Sequence, residues 1–268
     1  MPELPEVETV VRTLETKIKD LMITDIEFIY PRIIDGDIND FKRSLVGQHF
    51  REFDRRGKYL IFKMDDITFI SHLRMEGKYY ILPPEIKRDK HTHIVFKLSD
   101  GNELRYHDVR KFGRMELMPL QKEYKVFKDL GPEPFSDDFN LEYCKNYLSK
   151  KNKPIKEVLL DQSFVAGVGN IYADEICFAI RVNPLKIANT LSDKEITSLI
   201  EETRKILSKA IEAGGTTIRS YTSSLGVTGL FQLSLNVHTM EECPICKSPI
   251  KKIRVGGRGT YYCEACQK

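Results

Sequence analysis

Two groups of residues in this 268-residue sequence carry chemistry of their own. The first is the opening run Met1-Pro2-Glu3-Leu4-Pro5-Glu6. A small second residue favours trimming of Met1, and the trimmed chain would begin with a secondary amine beside two carboxylates. An α-amino group titrates at about 7.7–8.0, far below a lysine, so a useful fraction is neutral near physiological pH. Such an amine can attack a carbon centre and form Schiff bases with sugar carbonyls. Pro2 and Pro5 would equally suit the first turn of a helix, so the catalytic reading depends on what the rest of the chain supplies.

The second group is cysteine. Cys243-Pro-Ile-Cys246 is followed, after 16 residues, by Cys263-Glu-Ala-Cys266, the paired-knuckle spacing of a four-thiolate zinc site. Four thiolates fill a tetrahedral shell and leave no position for an activated water, so one structural zinc per chain is expected. Lys247, Lys251, Lys252, Arg254 and Arg258 lie between the knuckles, with no acid until Glu264. They make a basic face on a hairpin, and the turn Val255-Gly-Gly-Arg258-Gly-Thr260 presents an arginine whose guanidinium fork matches phosphate geometry. A solvated hairpin is the plain alternative. Cys144 and Cys177 sit among apolar neighbours and read as core thiols.

Weaker signals point the same way. Gly167-Val-Gly169-Asn170 opens a helical pattern, and backbone amides at a helix start bind anions, although such glycines often serve packing alone. Basic residues recur at turns: Arg55-Arg56-Gly57-Lys58, His72-Leu-Arg74-Met75-Glu76-Gly77, Lys90-His91-Thr-His93 and His107-Asp108-Val-Arg110-Lys111-Phe112-Gly113-Arg114. Together they suit a phosphate-binding groove. Met75 and Phe112, beside the charges, resemble wedges that unstack a duplex, though isolated apolar residues usually belong to a core. His91 and His93 lack further ligands of matching spacing and are not read as a metal pair.

The elements that must hold these groups follow from periodicity. Residues 5–20 show helical spacing, whereas 22–117 are rich in β-branched and aromatic segments cut by turn signals. Gly131-Pro-Glu-Pro-Phe-Ser-Asp-Asp-Phe139 reads as a connection, and 141–213 is helical, with a capped start at Ser192 and a stop at Gly214-Gly215. The fold class is α+β: a β-sandwich with a leading helix over 1–130, a linker over 131–140, a helical domain with a mobile loop over 141–234, and a zinc finger over 235–268. A net charge of +3 is too mild to imply nucleic acid by its total. The sequence contains no apolar run long enough to span a bilayer and no secretory leader, so a cytoplasmic address without membrane partners is expected.

Several of these motifs are long enough to carry a resemblance. P-E-L-P-E-V-E-T at 2–9, R-R-G-K-Y-L at 55–60, H-L-R-M-E-G at 72–77, V-R-K-F-G at 109–113, G-V-G-N-I-Y-A-D-E at 167–175, A-G-G-T-T-I-R at 213–219 and G-R-G-T-Y-Y-C-E-A-C at 257–266 are similar to bacterial formamidopyrimidine-DNA glycosylases along the whole chain. The resemblance implies a β-sandwich, a helix-two-turn-helix domain and a zinc finger, acting on damaged double-stranded DNA as a monomer in the bacterial cytoplasm at the nucleoid. It implies removal of oxidised purines, 8-oxoguanine and formamidopyrimidines, followed by successive β- and δ-elimination through a Schiff base.

By the same resemblance, Pro2 is the nucleophile, Glu3 the acid and base, and Lys58 the lysine at the lesion. Arg258 contacts phosphate and serves as proton donor for elimination. Met75, Arg110 and Phe112 fill the gap left by the extruded base, while Asn170, Lys156 and His91 contact DNA. Glu6 and Tyr221 line the lesion pocket. The related endonuclease VIII type, which prefers oxidised pyrimidines, is the nearest alternative; P-E-L-P-E and V-R-K-F-G favour the former. A lesion-binding zinc protein without chemistry is a third reading, opposed by Pro2, Glu3 and Lys58. This chain departs from the family at Glu157, where proline is usual, at Lys247, where glycine is common, and in a shortened segment at 235–242 without the usual V-Y-G.

Overall fold

The computed structural model describes residues 1–118, 125–216 and 229–268, which separate into two compact units. The first contains the described residues of Met1–Lys125 together with Thr216 and Gly229; the second contains Val126–Gly215 and Leu230–Lys268. Among the described residues no helix is long and apolar enough to cross a membrane.

The first unit opens with α1 (Leu4–Ile18), β1 (Ile23–Phe28) and α2 (Ile38–Leu45). Glu3 caps α1 in a reciprocal box: its side chain takes the Glu6 N–H, while Glu6 takes the Glu3 N–H. Pro5 lies in the first turn, where its missing N–H costs nothing. Leu4, Val7, Val10, Leu14 and Ile18 recur at helical spacing and are wholly buried or nearly so, and the helix packs against the strands β2 (Glu52–Arg56) and β3 (Tyr59–Lys63).

The remaining strands are β4 (Thr68–His72), β5 (Lys78–Leu82), β6 (Thr92–Leu98), β7 (Glu103–His107) and β8 (Arg114–Met118). One sheet runs β1-β6-β7-β5 and the other β2-β3-β4-β8, giving the sandwich that the strand-rich segments predict. Aromatic rings join the two sheets. Phe62 stacks on Phe69 at 4.4 Å, Phe69 lies 5.9 Å from Phe96, and Phe62 meets Tyr79 edge-on at 5.7 Å. Burying a side chain of this kind contributes about 1.5–3 kcal/mol.

Two connections cross between the sheets at one end. Residues 73–77 lead from β4 to β5, and residues 108–113 lead from β7 to β8. Because His72 pairs with Arg114 and Lys78 with His107, the two turns run side by side. The topology therefore brings H-L-R-M-E-G and V-R-K-F-G together.

The second unit holds α3 (Lys125–Lys128), whose first residue falls in the other unit, then α4 (Leu141–Leu148), α5 (Ile155–Leu160), α6 (Asn170–Ala179) and α7 (Asp193–Glu212), followed by the hairpin β9 (Lys251–Val255) and β10 (Arg258–Tyr262). The expected capping box at Ser192 and Glu195 starts α7. Gln162 braces the glycine-rich turn before α6: its amide donates to the Leu160 and Val168 carbonyls, and its oxygen accepts from Gly167 N–H.

Charge organises the middle of this unit. Lys156 is fully buried, and its ammonium donates to Asp174 Oδ1 at 2.5 Å, Thr260 Oγ1 at 2.8 Å and the Gly259 carbonyl at 3.2 Å. His238 Nδ1 lies 2.6 Å from the other oxygen of Asp174. Glu175, next along α6, accepts from the backbone N–H groups of Asn236, Val237 and His238 and from the Asn236 amide. Removing one member of such a buried cluster strands the others, at about 3–5 kcal/mol. Asp174→Ala is accordingly expected to lower the urea unfolding free energy by about that amount, and a loss below about 1 kcal/mol would show that Lys156 finds other acceptors.

Candidate active site and metal centre

The start of α1 gathers charge in a buried setting. Glu3 is 3% exposed, Glu6 5% and Lys58 6%. Glu6 Oε2 accepts from Glu3 N–H at 2.8 Å, and Oε1 accepts from both the N–H and the hydroxyl of Thr216, at 2.8 and 3.0 Å. Pro2 is buried immediately before the cap. Met1 as a residue is 45% exposed, yet burial of its α-amine pushes that group below its ordinary value. Glu3 and Glu6 pull it back up, Lys58 pushes it down and Glu76 raises it. These four charged groups therefore converge on the amine at the chain start. Lys58 is delivered by the β2–β3 turn, where Gly57 takes φ +56° and Arg55 braces the turn by donating to the Gly57 carbonyl and to Glu8.

Glu76 belongs to the turn that carries Met75, so the amine site and this turn are neighbours. The turn begins at His72, whose Nδ1 accepts from Arg74 N–H at 2.9 Å and holds Arg74 at φ +51°. Met75 is half-buried and Phe112 is 48% exposed, with the Arg110 guanidinium 4.6 Å above its ring. His91 stacks edge-on with His107 at 5.5 Å, and His93 donates to the Asp108 carbonyl at 2.7 Å. Tyr221 lies outside the described residues.

In the second unit the expected DNA contacts fare unequally. Arg258 is exposed and opens β10 immediately after Gly256 and Gly257, whose φ values of +54° and +76° make the tight turn. Asn170, at the head of α6, donates to the Gly259 carbonyl at 2.9 Å, and its Oδ1 is buried with no hydrogen-bond partner. The expected phosphate contact by Lys156 requires correction. Its ammonium has no exposed surface and all its protons are directed at Asp174, Gly259 and Thr260, so it ties α5 and α6 to β10 instead. Glu157 lies against the hairpin turn: a Cβ on Gly256 would come within 2.7 Å of its Cγ.

The four cysteine sulfurs lie within 4.8 Å of one another, with Cys243 and Cys266 3.9 Å apart and Cys246 and Cys263 3.4 Å apart. A tetrahedral ion with metal–sulfur bonds of about 2.3 Å needs sulfurs about 3.8 Å apart, whereas a disulfide needs about 2.05 Å. The donor set fits a metal. Lys247 N–H donates to the Cys243 carbonyl with Lys247 at φ +63°, the conformation that glycine would adopt without strain.

Comparison with known proteins decides the family. Residues 1–115 match the formamidopyrimidine-DNA glycosylase N-terminal domain, 130–222 the H2TH domain of the same enzymes, and 241–268 the zinc finger found in FPG and IleRS. The chain belongs to the formamidopyrimidine-DNA glycosylase family. It is 48% identical to the formamidopyrimidine-DNA glycosylase of Streptococcus mutans and 46% identical to that of Bacillus subtilis, over the full chain and at least 99% of each relative. It superposes on wild-type Lactococcus lactis Fpg in complex with N7-benzyl-Fapy-dG DNA with a TM-score of 0.94 at 44% identity over all of both chains. A complex of the same Lactococcus enzyme with DNA containing an abasic site gives 0.93 at 43% identity over 99% of each.

Two features of this family member have no signal in the sequence taken motif by motif. His238, in the segment that departs from the family's V-Y-G, enters the buried Asp174 cluster, and Thr239 beside it adopts φ +64°. His72, which stands in a basic cluster of the sequence, is a neutral acceptor. Burial, reinforced by Arg74 and Lys58, pushes its imidazole down to about 3. Above about pH 6.5 the ring is neutral whether folded or unfolded; between about 6.5 and 3 only the unfolded chain takes up the proton, so stability falls as pH falls through that window. Unfolding at pH 5 should take up about one proton fewer in His72→Asn than in the parent. Equal proton uptake, measured from the pH dependence of urea unfolding, would exclude a buried neutral His72.

Proposed function

We propose that this protein excises oxidised purines, chiefly 8-oxoguanine opposite cytosine and ring-opened formamidopyrimidines, from double-stranded DNA and then cleaves the abasic strand. The observation that carries the reading is that Pro2 is buried immediately before the Glu3 cap of α1, at a chain start where Glu3, Glu6 and Lys58 are also buried. After removal of Met1, the Pro2 nitrogen attacks C1′ and the base departs with its bonding pair. The proton released by the attacking nitrogen passes to Glu3, which delivers it to the sugar ring oxygen as the C1′–O4′ bond opens, leaving a proline iminium. The iminium acidifies the C2′ proton. Its loss expels the phosphate on the 3′ side, and a second elimination expels the phosphate on the 5′ side, leaving a single-nucleotide gap. A carboxylate beside the Pro2 nitrogen makes proton transfer local.

Lys58 binds at the lesion and its phosphate, and Glu6 forms a wall of the lesion pocket with Tyr221. Met75, Arg110 and Phe112 occupy the space of the extruded base, while Asn170 and His91 anchor the backbone. Arg258 contacts the phosphate. Its guanidinium fork matches phosphate geometry, so its part in elimination is to donate to the departing phosphate. One zinc per chain, held by Cys243, Cys246, Cys263 and Cys266, supplies the core that the short finger lacks.

Borohydride should trap a covalent adduct between the Met1-trimmed protein and an 8-oxoguanine duplex, and the absence of any adduct would overturn the excision reading. Glu3→Gln is expected to retain lesion binding while excision falls by about 10²–10⁴-fold; unchanged excision would remove Glu3 from the mechanism. Metal analysis should return about one zinc per chain, and chelation should unfold the finger, as measured by amide exchange over 243–266. A metal-free protein with a protected finger would refute the structural zinc.

A further inference from the structure

The turns that carry Met75 and Phe112 share one buried support. Tyr106 on β7 is fully buried, and its phenol oxygen fills the space beside two glycines, one in each turn. A Cβ built on Gly77 would lie 2.4 Å from that oxygen, and one on Gly113 only 1.6 Å from it. Neither glycine has a positive φ, so what is required at both positions is space, not an unusual backbone. The turns also touch each other, since the same Cβ on Gly113 would lie 3.2 Å from the His72 carbonyl oxygen.

Hydrogen bonds extend the arrangement towards the wedges. The Tyr106 hydroxyl donates to Asp108 Oδ2 at 3.4 Å. The fully buried Asp108 carboxylate accepts from Arg110 N–H at 3.0 Å and Gly113 N–H at 2.8 Å, which shapes the loop between them. From behind, the Tyr79 ring meets Tyr106 at 5.3 Å, and Tyr79 donates to Ser71 Oγ at 2.7 Å. The phenol is packed in on each of these sides.

We propose that Tyr106 is a positioning residue that sets the separation of the Met75 and Phe112 turns, so that both side chains enter the duplex as one preformed wedge. The inference rests on the excision reading above. Extruding a base costs the stacking and pairing it loses. A wedge ordered only on contact would add the cost of immobilising each side chain, and a preformed one avoids that addition.

Tyr106→Phe removes the hydroxyl and its bond to Asp108 while keeping the ring in the core. Excision of 8-oxoguanine is compared between a fully paired duplex and an unpaired bubble, with 2-aminopurine beside the lesion reporting unstacking. Excision from the duplex and the 2-aminopurine signal should each fall about tenfold. Excision from the bubble, and borohydride trapping on a preformed abasic site, should stay within about twofold of the parent. Tyr79→Phe, which loses a neighbouring buried hydroxyl bonded to Ser71 instead, should keep the parent's ratio of duplex to bubble rates. An unchanged duplex rate in Tyr106→Phe, an equal loss on both substrates, or the same selective loss in Tyr79→Phe would overturn the role of Tyr106. Absence of trapping by the parent protein would instead overturn the excision reading on which it rests.

Discussion

Both carboxylate oxygens of Glu6 are committed to donors, and the geometry at the chain start depends on that commitment. One takes the Glu3 N–H and the other the N–H and hydroxyl of Thr216. With so little of Glu6 exposed, leaving one of these groups unpaired would cost about 1–3 kcal/mol. The pairing fixes Glu3 at the cap and sets residue 2 beyond the positive end of α1. Two opposed effects then act on adjacent groups. The helix end favours ionised carboxylates, while burial favours an uncharged amine. Removal of Met1 would place the Pro2 nitrogen next to the Glu3 carboxylate, the pairing that the proposed Schiff-base chemistry requires.

The second unit uses buried charge for a different end. The finger contributes only a small apolar cluster, in which Val237, Cys243 and Cys263 pack with Phe178 of α6. Register between finger and helices must come from elsewhere. Lys156, Asp174 and His238 supply it, together with the four donors collected by Glu175. A buried ion pair is a poor source of net stability because desolvation offsets the attraction, but it penalises every arrangement that leaves a charge unmatched. Here it selects one seating of the β9–β10 hairpin on α6, and so fixes where Arg258 stands relative to Asn170.

Much of this was legible in the sequence, for physical reasons that differ from place to place. The metal site was clear because thiolate spacing is dictated by coordination geometry, and α1 and α7 because capping and apolar period agree. Strands β4 and β6, buried along almost their whole length, carry the β-branched and aromatic residues that mark a strand. By contrast β2, Glu-Phe-Asp-Arg-Arg, and β7, Glu-Leu-Arg-Tyr-His, carry charges that draw partners from other elements: Arg55 reaches Glu8 on α1, and Arg88, from outside the strand, joins the buried Arg105–Glu103 pair. Lys156 is hidden from the sequence for the same reason. A lysine in a basic stretch reads as exposed until Asp174, 18 residues away, claims it.

The paired turns show where that difficulty is greatest, because glycine and cation exchange their usual places there. The left-handed backbone positions belong to Arg74 at φ +51° and Lys111 at φ +56°, while Gly77 and Gly113 have ordinary φ. A side chain in the left-handed region costs about 1–2 kcal/mol, and such strain persists only where the surroundings hold it. His72 Nδ1 holds Arg74, and Asp108, receiving Arg110 and Gly113, encloses Lys111, whose ammonium lies over the Tyr30 ring at 4.6 Å. Glycine at 74 or 111 would relieve the backbone and remove a positive charge from beside Met75 and Phe112. Glycine at 77 and 113 is imposed by the phenol of Tyr106. The strain and the missing side chains thus have one origin: two turns must stand close together on a buried ring while each still presents a cation next to its apolar tip.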